Sequence, residues 1–587
     1  MKRILAIIFI VGCLSAKPHP QAVQSAHNII QVFSNQSSKK HISDDLRIIA
    51  RFGHSLPEET KNELRSLGFN FDGPIVNRSF LDERTEASGL DEMHDNGMFR
   101  FHYTTTGSNA VSTADTNSNA VPDYIEQMSD VFNYVVAVEL TMNSFTEPPS
   151  DDFYSANNDN GGSGAYDVYV RNAGGGVYGY VQPELYANNN GNNEHSSGVN
   201  EVNAMTSYMV LRHNYSGFGN TELENIQVTA AHEYFHAVQF GYDGWEESWV
   251  MEATAVQMEE IVYDDVNDCY QYMSSWFNSP HQSLNLDSQN RWYGSFIFFE
   301  YVNSHLSDEA IREFWEHSIT HDSYYGEYSV QTLDEAFDDL GSSFTEMLNG
   351  MSVANRIMSS SSAAAPFDYE EADTYSDTDT LSTYNTVSYS AGTDETVTST
   401  NLQENAAQYI RLTSDDPVLA TLTNDDGPDS YLELHAIMTY GDSAWTVWSG
   451  SPINIDPTDA TQVYFVVVSQ NDAGSSFGYT LTFSDGAMST DLEIPDKFSI
   501  SHAYPNPFNP QTNIQIDLQN SQRVQVYIYD IKGQMVKTLV NRHLVAGQHV
   551  FTWNGRNYQG LPVSTGTYFV RIKGKSQERW QKVTLLK

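Results

Sequence analysis

Cysteine is nearly absent from this chain of 587 residues, which contains only Cys13 and Cys269. Cys13 lies within residues 1–16, where a basic start, an apolar run and small residues before Lys17 predict a secretory signal peptide. The mature chain would keep Cys269 alone, which excludes an intramolecular disulfide even in an oxidising compartment. Stability must therefore come from packing and from bound metals.

Two ways of processing this start remain open. Cleavage after Ala16 is the simpler one, but Ile10-Val11-Gly12-Cys13 also resembles a bacterial lipoprotein signal, which would carry a lipid on Cys13. In both cases the basic start and the apolar run are not part of the mature fold. We expect an exported protein, either released or attached to the cell surface.

Positive charge is also scarce, with 30 Lys and Arg against 76 Asp and Glu and a net charge of -46. So negative a chain is a poor partner for nucleic acid or an anionic membrane, because both repel it. Beyond the signal, no apolar run reaches the roughly 18 residues that a membrane-spanning helix needs. We therefore predict no transmembrane segment and a monomeric protein with a solvated extracellular surface.

A chain of this length needs several hydrophobic cores. Residues 17–97 form a leading or pro-segment, in which Asp44 to Phe71 reads as a strand, a turn and an amphipathic helix. This segment is either an inhibitory propeptide or a structural subdomain. Residues 98–358 mix helices and strands, with MFRFHYTTTG, AYDVYVRN and TSYMVLRH as strand candidates. Residues 367–486 alternate in short runs and predict a β-sandwich.

The motif with the clearest chemistry is HEYFH, in which His232 and His236 are spaced i and i+4 around Glu233. Thr221 and Glu224 fit a capping box that starts the helix upstream, and Gly241 is a natural stop. On a helix both imidazoles face the same point. Zinc bound there would lower the pKa of a water molecule, and Glu233 would act as the general base that takes its proton.

The third protein ligand has more than one candidate. A metzincin would have Gly at position 239 and His at position 242, whereas this chain has Gln and Tyr there. The gluzincin pattern takes a Glu from a following helix, and WVMEATAVQMEE offers Glu252. Closer alternatives lie in a Gly-rich turn, where a solvated carboxylate is the simpler interpretation. They are Asp243, Glu246 and Glu247.

Glu259 follows Glu252 by two helical turns and could accept a hydrogen bond from a ligand histidine. HEYFH with the downstream W-x-x-E-A-x-A pattern resembles a bacterial family of secreted gluzincin metalloproteases. MFRFHYTTTG, the loop at Asp115 and RWYGSFIFFEYV resemble the same family, so the likeness covers about Met98 to Asn355. The resemblance implies peptidase activity on protein or peptide substrates, with Glu252 as the zinc ligand. Tyr293 could stabilise the oxyanion, although a packed or surface tyrosine is the simpler interpretation.

A second candidate metal site is the run DTNSNAVPDYIE, in which oxygen side chains occupy positions 1, 3, 5, 9 and 12 of a calcium loop. These residues are Asp115, Asn117, Asn119, Asp123 and Glu126. The pattern departs at Ala120, where the sharp turn calls for Gly, and at Pro122. An Asn- and Asp-rich turn without metal is the alternative. We expect a structural Ca2+ rather than a catalytic one.

The end of the chain differs in charge from the rest. Residues 497–587 hold 12 Lys and Arg against 3 Asp and Glu, while the rest of the chain holds 18 against 73. The runs YPNPFNP, VQVYIYDIKG and KVTLLK predict a small sandwich of short strands. This stretch resembles the type A sorting domain of the type IX secretion system. The resemblance implies Sec export, passage of the outer membrane through that machinery, and removal of the domain; an ordinary adhesive domain is the alternative.

Together these features predict a multidomain α+β protein. Its parts would be a gluzincin-like zinc metallopeptidase domain, a β-sandwich accessory domain and a small C-terminal Ig-like β-sandwich sorting domain. The expected activity is zinc-dependent endopeptidase hydrolysis. The competing interpretation is a non-catalytic adhesion or binding protein at the cell surface that retains a peptidase fold.

Overall fold

The structure is a computed structural model. It describes residues 17–34, 41–69, 89–151, 161–187, 201–286, 288–319, 329–361, 364, 366–375, 381–427, 431–441, 444–471, 474, 476–486, 499–500, 503, 505–518, 522–533, 535–544, 547–557, 561–574 and 578–586. The predicted signal peptide, residues 1–16, lies outside this range. The chain divides into two compact units. The first comprises residues 1–251, 258–268 and 315–326, and the second comprises 252–257, 269–314 and 327–587.

The first unit opens with helices rather than strands. They are α1 (Pro20–Phe33), α2 (Ser43–Phe52), a 3-10 turn (Gly53–Ser55) and α3 (Glu58–Ser66). The strand predicted to start at Asp44 is therefore wrong, because that stretch is the helix α2. Its adjacent β-branched residues Ile48 and Ile49 favoured a strand locally. Acidic Asp44 and Asp45 in the first turn, together with burial of Leu46 and Ile49, favour the helix instead.

A mixed sheet follows the leading helices. Its strands are β1 (Glu92–Asp95), β2 (Phe99–Tyr103), β3 (Tyr166–Arg171), β4 (Gly179–Tyr186) and β5 (Met205–Arg212). The order is β1-β2-β3-β5-β4, with β3 parallel to both β2 and β5, and β1 and β4 antiparallel to their neighbours. The sheet thus begins ahead of Met98, where the sequence predicted a new unit. Among the described strands, β4 lies at an edge.

Further helical elements follow in the sequence, and two of them pack on the sheet of the first unit. These elements are α4 (Asp123–Val136), a π-turn (Ala137–Met142), α5 (Glu222–Tyr242) and α6 (Ser248–Tyr263). Helix α4 packs on β2, and helix α5 packs on β4, β5 and α4. Phe99 on β2 contacts Phe132 on α4, with ring centroids 4.8 Å apart, and Tyr234 on α5, with ring centroids 5.3 Å apart. These ring contacts join the strand to the two helices. The HEYFH motif therefore lies in the interior of this unit.

The second unit contains further helices and the first of two β-structures. The helices are α7 (Tyr270–Phe277), α8 (Gln289–Gly294), α9 (Phe296–His305), α10 (Ala310–Ser318, which ends in the first unit), α11 (Ser329–Asp339) and α12 (Phe344–Ile357). The strands are β6 (Thr383–Ser388), β7 (Glu395–Leu402), β8 (Ala406–Thr413), β9 (Val418–Asn424), β10 (Leu432–Thr439), β11 (Trp445–Ser449), β12 (Ile453–Ile455), β13 (Gln462–Ser469) and β14 (Phe477–Asp485). They form sheets of order β11-β10-β13-β8-β6 and β12-β9-β14-β7, whose inner faces share one core.

The last part of the chain is a smaller sandwich with its own core. Its strands are β15 (Ser499–Ile500), β16 (Thr512–Leu518), β17 (Gln522–Asp530), β18 (Met535–Leu544), β19 (Gly547–Trp553), β20 (Gly566–Lys573) and β21 (Glu578–Leu585). They pair as β15-β16-β19 and β18-β17-β20-β21. Among all described residues, no helix combines the length and the apolar composition needed to cross a membrane.

Candidate metal centre

Helix α5 places the HEYFH side chains. It starts at the predicted capping box: the Thr221 hydroxyl accepts from the Glu224 amide, and the Glu224 carboxylate accepts from the Thr221 amide. The capping box is confirmed. The helix ends at Tyr242 and therefore runs one residue past Gly241, the predicted stop. His232 and His236 lie one turn apart on this helix, which is buried on all sides from Val228 to Tyr242.

In each of the two histidine rings, the Nδ1 atom, which points away from the other ring, has a hydrogen-bond partner. Nδ1 of His232 is 2.7 Å from Oε1 of Glu259, and Nδ1 of His236 is 2.7 Å from Oε1 of Gln239. The Gln239 amide nitrogen donates to the Met251 carbonyl, so its oxygen must accept from His236. A carboxylate can likewise only accept from His232. Both rings therefore carry their proton on Nδ1 and present a lone pair on Nε2.

The two Nε2 atoms face each other at 3.1 Å. Two lone pairs at that distance repel unless a cation lies between them or one ring gains a second proton. Tetrahedral zinc with nitrogen bonds of roughly 2.0–2.1 Å places two such ligands about 3.3 Å apart. The donor set and its spacing thus fit zinc.

Glu252 joins the two histidines from helix α6. A carboxylate oxygen of Glu252 and a ring nitrogen of each histidine all lie within 4.8 Å of one another, and the three side chains are buried. Glu259, on the same helix, accepts a hydrogen bond from His232, a role that the sequence left open for one of the two histidines. Helix α6 thus carries both the candidate third ligand and the group that orients the first.

The closer carboxylates have other partners. Asp243 accepts from Asn203 and from the Trp245 amide, and Glu247 accepts from the Trp249 indole. Asp243 and Glu246 are each only 1% exposed, so the prediction of solvated loop carboxylates is wrong for these two. The turn packs inward because Trp245 and Trp249 are buried beside it.

Glu233 contacts the leading segment. Its Oε1 lies 3.0 Å from Nδ1 of His41, and its Oε2 accepts a 2.7 Å hydrogen bond from the Ser43 hydroxyl. Burial alone would raise the pKa of Glu233, but the hydrogen bond with His41 acts against it, and the pKa lies below its usual value. The carboxyl group is therefore ionised at neutral pH, as a general base requires.

Gly179 allows strand β4 to lie close to this helix. A Cβ added at Gly179 would meet Cγ2 of Thr229 at 2.8 Å and Cγ of Glu233 at 3.5 Å. The strand and the helix lie so close together here that any larger residue at position 179 would force its neighbours to shift. The edge of the sheet thus runs directly beside the Glu233 side chain.

The candidate calcium loop has a different character. Its carboxylates bond to the loop itself: Asp115 accepts from the amides of Asn119 and Ala120, and Asp123 accepts from the amide and hydroxyl of Thr116. These hydrogen bonds from Thr116 lower the pKa of Asp123. The Asn117 and Asn119 side-chain amides donate to Glu126.

The loop makes its sharp turn without glycine. Ala120 has φ 71° and the preceding Ser118 has φ 60°, so the backbone takes the left-handed form that a calcium loop needs at this position. Among the described residues, the clusters of three or more potential ligands within 4.8 Å both contain His232, and the loop carboxylates form none. Calcium binding here remains a prediction.

Tyr293 lies in the second unit, on helix α8, where its ring stacks on Tyr272 with centroids 4.9 Å apart. The phenol group is buried. This stacking is the packed-tyrosine alternative that the sequence left open, and the role of Tyr293 in oxyanion stabilisation remains a prediction.

Three residues of the site were not found from the sequence. Gln239 carried a signal that was available, because it lies at i+3 from His236 on the same helix. His41 and Ser43 carried none, because 190 or more positions separate them from Glu233 along the chain. A second cluster of potential metal ligands adds His41 to His232 and Glu259.

Comparison with solved structures gives only partial likenesses. A structure of PorZ, a surface component of the type IX secretion system of Porphyromonas gingivalis, matches at 21% identity over 21% of this chain and 15% of its own, with a TM-score of 0.14. Dimeric latent PorU from the same organism matches at 12% identity over 29% and 20%, with a TM-score of 0.14. A Ruminococcus gnavus β-glucuronidase matches at 9% identity over 29% and 34%, with a TM-score of 0.10. The matched part thus spans about a third or less of each of these proteins.

No curated protein matches the chain. The family model described as FlgD Ig-like domain matches residues 504–578. These residues contain strands β16 to β20 of the small sandwich and most of its separate core. The protein is therefore a multidomain α+β chain with an Ig-like domain at its C-terminal end.

Proposed function

We propose that the chain is a secreted zinc-dependent endopeptidase in which His232, His236 and Glu252 hold the metal and Glu233 is the general base. One observation carries the proposal: two Nε2 lone pairs face each other at 3.1 Å, each fixed by a hydrogen bond on the opposite ring nitrogen. Without a cation between the two rings, one of them would have to carry a second proton. The nearby Glu252 carboxylate completes a set of three protein ligands, which leaves the fourth position of tetrahedral zinc for water.

The reaction follows from the roles of the side chains. Zinc bound by these residues would polarise the substrate carbonyl and lower the pKa of a water molecule. Glu233 would accept the proton from that water on a carboxylate oxygen and then deliver it to the departing amine. Glu259 and Gln239 would keep the two rings in the tautomer and orientation that the metal requires. Burial of all these groups strengthens their electrostatic interactions.

Metal analysis tests the ligand set. We expect about one zinc per chain in the purified protein, and a large loss of zinc affinity in Glu252→Ala. Glu247→Ala is the matched control, because that carboxylate already accepts from the Trp249 indole. Full zinc affinity in Glu252→Ala would contradict the assignment and direct attention to another ligand.

Activity tests the base. Glu233→Gln should retain zinc but lose nearly all casein hydrolysis, because an amide cannot take up the proton of water. Glu222→Gln, on the exposed first turn of the same helix, is the control. A zinc-loaded chain that hydrolyses no protein, even when His41 and Ser43 are both replaced by alanine, would favour the alternative of a non-catalytic binding protein.

We further propose that the Ig-like domain acts as a type IX sorting domain, which would place the protein outside the cell or on its surface. The support is the basic composition of residues 497–587 on an otherwise acidic chain, with the YPNPFNP and KVTLLK sequences. Truncation after Asp496 should leave a folded protein in the periplasm of a host with this secretion system. Normal amounts of truncated protein in the medium would instead identify an adhesive module.

A further inference from the structure

We propose that the leading segment is an internal inhibitor, which occupies the edge of β4 beside the metal centre and holds the Glu233 carboxylate. The inference rests on the proposed function, because it concerns how the same site is kept inactive. The segment consists of α1 to α3 with residues His41 and Ile42, and all of its contacts described below lie within the first unit.

Both oxygens of the proposed base are occupied by this segment. Oε1 of Glu233 faces His41 at 3.0 Å, and Oε2 accepts from Ser43 at 2.7 Å. These hydrogen bonds stabilise the charged carboxylate and so weaken it as an acceptor for the proton of water. His41 and Ser43 therefore hinder the group on which the reaction depends.

The same segment covers one of the proposed ligands. The His41 ring stacks on His232 with centroids 4.1 Å apart and planes 24° apart. A nitrogen of His41 lies within 4.8 Å of ligand atoms of both His232 and Glu259. His41 thus lies against the ring of a proposed metal ligand, on the side of the site that carries Glu233.

The backbone of the segment pairs with the sheet edge. His41 forms a parallel bridge with Gly179, and the Val181 amide donates to the Ser43 hydroxyl at 3.0 Å. The main-chain groups of an edge strand are the natural docking positions for an extended peptide. Residues His41 to Ser43 therefore occupy the place next to the base that an extended peptide chain would need.

Buried contacts hold the segment in place. Helices α1 and α2 bury Ala26, Ile29, Leu46 and Ile49. The Arg47 guanidinium bonds to Asp44 at 2.6 Å, to the Gly244 carbonyl at 3.3 Å and to the Ser248 hydroxyl at 3.0 Å. This guanidinium joins α2 to the turn between α5 and α6. Release of the site therefore requires the segment to move away as a unit.

The test compares full-length, zinc-loaded chains. His41→Ala/Ser43→Ala removes both blocking side chains, and His54→Ala/Ser66→Ala is the matched control, since these residues are exposed in the same segment. The first readout is amide hydrogen exchange at residues 179–182. The second is the rate at which phenanthroline removes zinc. The third is casein hydrolysis.

We expect the double variant to exchange its Val181 amide, lose zinc and cleave casein about tenfold faster or more than wild type, since hydrogen bonds to a buried charge are the strong ones. The control should match wild type. Arg47→Met, which leaves Glu233 untouched, should change all three rates in the same direction by loosening the segment.

The outcomes separate the two proposals. Equal rates of zinc removal and exchange in wild type and in His41→Ala/Ser43→Ala would overturn the inhibitor. Faster zinc removal without any hydrolysis would support the segment as a cover and contradict the peptidase.

Discussion

The two candidate metal sites of this chain differ in how their ligands are occupied. At the helix site, hydrogen bonds orient the His232 and His236 rings from behind and leave the Nε2 lone pairs facing each other. In the Asp115 loop, backbone amides and asparagine side chains bond to the carboxylate oxygens themselves. A cation at the helix site would remove the repulsion between the two Nε2 lone pairs and so lower the free energy of the site. A cation in the loop would have to replace hydrogen bonds that already stabilise the carboxylates.

The largest effect should come from removing a histidine of the helix site. His232→Ala or His236→Ala should weaken zinc binding by more than about 100-fold, the upper end of what loss of an outer hydrogen-bond partner costs. Competition with a chelator of known affinity measures it. His213→Ala is the control, because that half-buried ring contacts the Ala110 carbonyl instead. Unchanged affinity would remove the distinction between the two sites.

A buried histidine without metal chemistry gives the next test. His435 faces the Ser449 hydroxyl with Nδ1 and the Asn349 side-chain oxygen with Nε2, so both of its nitrogens have neutral partners. Burial lowers the pKa of His435 to about 4. Because the folded state takes up this proton less readily than the unfolded chain, its stabilising contribution is full above about pH 6.5 and declines as the pH falls towards 4.

Protonation of His435 should lower the free energy of unfolding of the β6–β14 sandwich by about 3 kcal/mol at pH 4, compared with pH 7. Urea-dependent proteolysis, with fragments assigned by mass spectrometry, follows this sandwich within the full chain. His435→Gln should be less stable than wild type at pH 7, and the gap should close near pH 4. His549→Gln, in the terminal domain, is the control. A gap that is the same at both pH values would contradict the assignment.

Loss of an outer partner should have a smaller effect. Glu259→Gln and Gln239→Ala should each weaken zinc binding by about 10–100-fold, because each leaves a ligand ring free to rotate or change tautomer. Gln227→Ala, on the same helix as Gln239, is the matched control. Affinities indistinguishable from wild type would show that the rings are held by packing alone.

The smallest effect concerns the loop. Ala120→Gly should stabilise it by about 1 kcal/mol, because Ala120 at φ 71° carries the cost of a left-handed conformation. Ala110→Gly, at φ -61°, should give no such gain. Proteolysis within the loop, with and without calcium, measures both variants. We expect calcium to bind weakly, with a Kd on the order of 10⁻⁴–10⁻³ M. Binding in the nanomolar range would break the contrast between the two sites.

Local signals predicted part of this fold well. The capping box at Thr221 and the strand candidates of the first unit depend on residues close in sequence. The helix α2 was misread because two adjacent isoleucines favour a strand locally, while burial of one helical face decides the outcome. The burial of Asp243 and Glu246 was not predicted for the same reason, because the burial of a turn depends on tertiary packing and not on local sequence.

The sequence by itself determined the helix with His232 and His236 on one face, because an i, i+4 spacing fixes their direction wherever the helix lies. It also determined the charge contrast between the terminal domain and the rest of the chain. Only the tertiary structure decided that His41 and Ser43 contact Glu233, and that helix α6 brings Glu252 and Glu259 to the two rings. The physical reason is that contacts between distant segments follow from packing of a whole core, for which no short stretch of sequence carries a pattern.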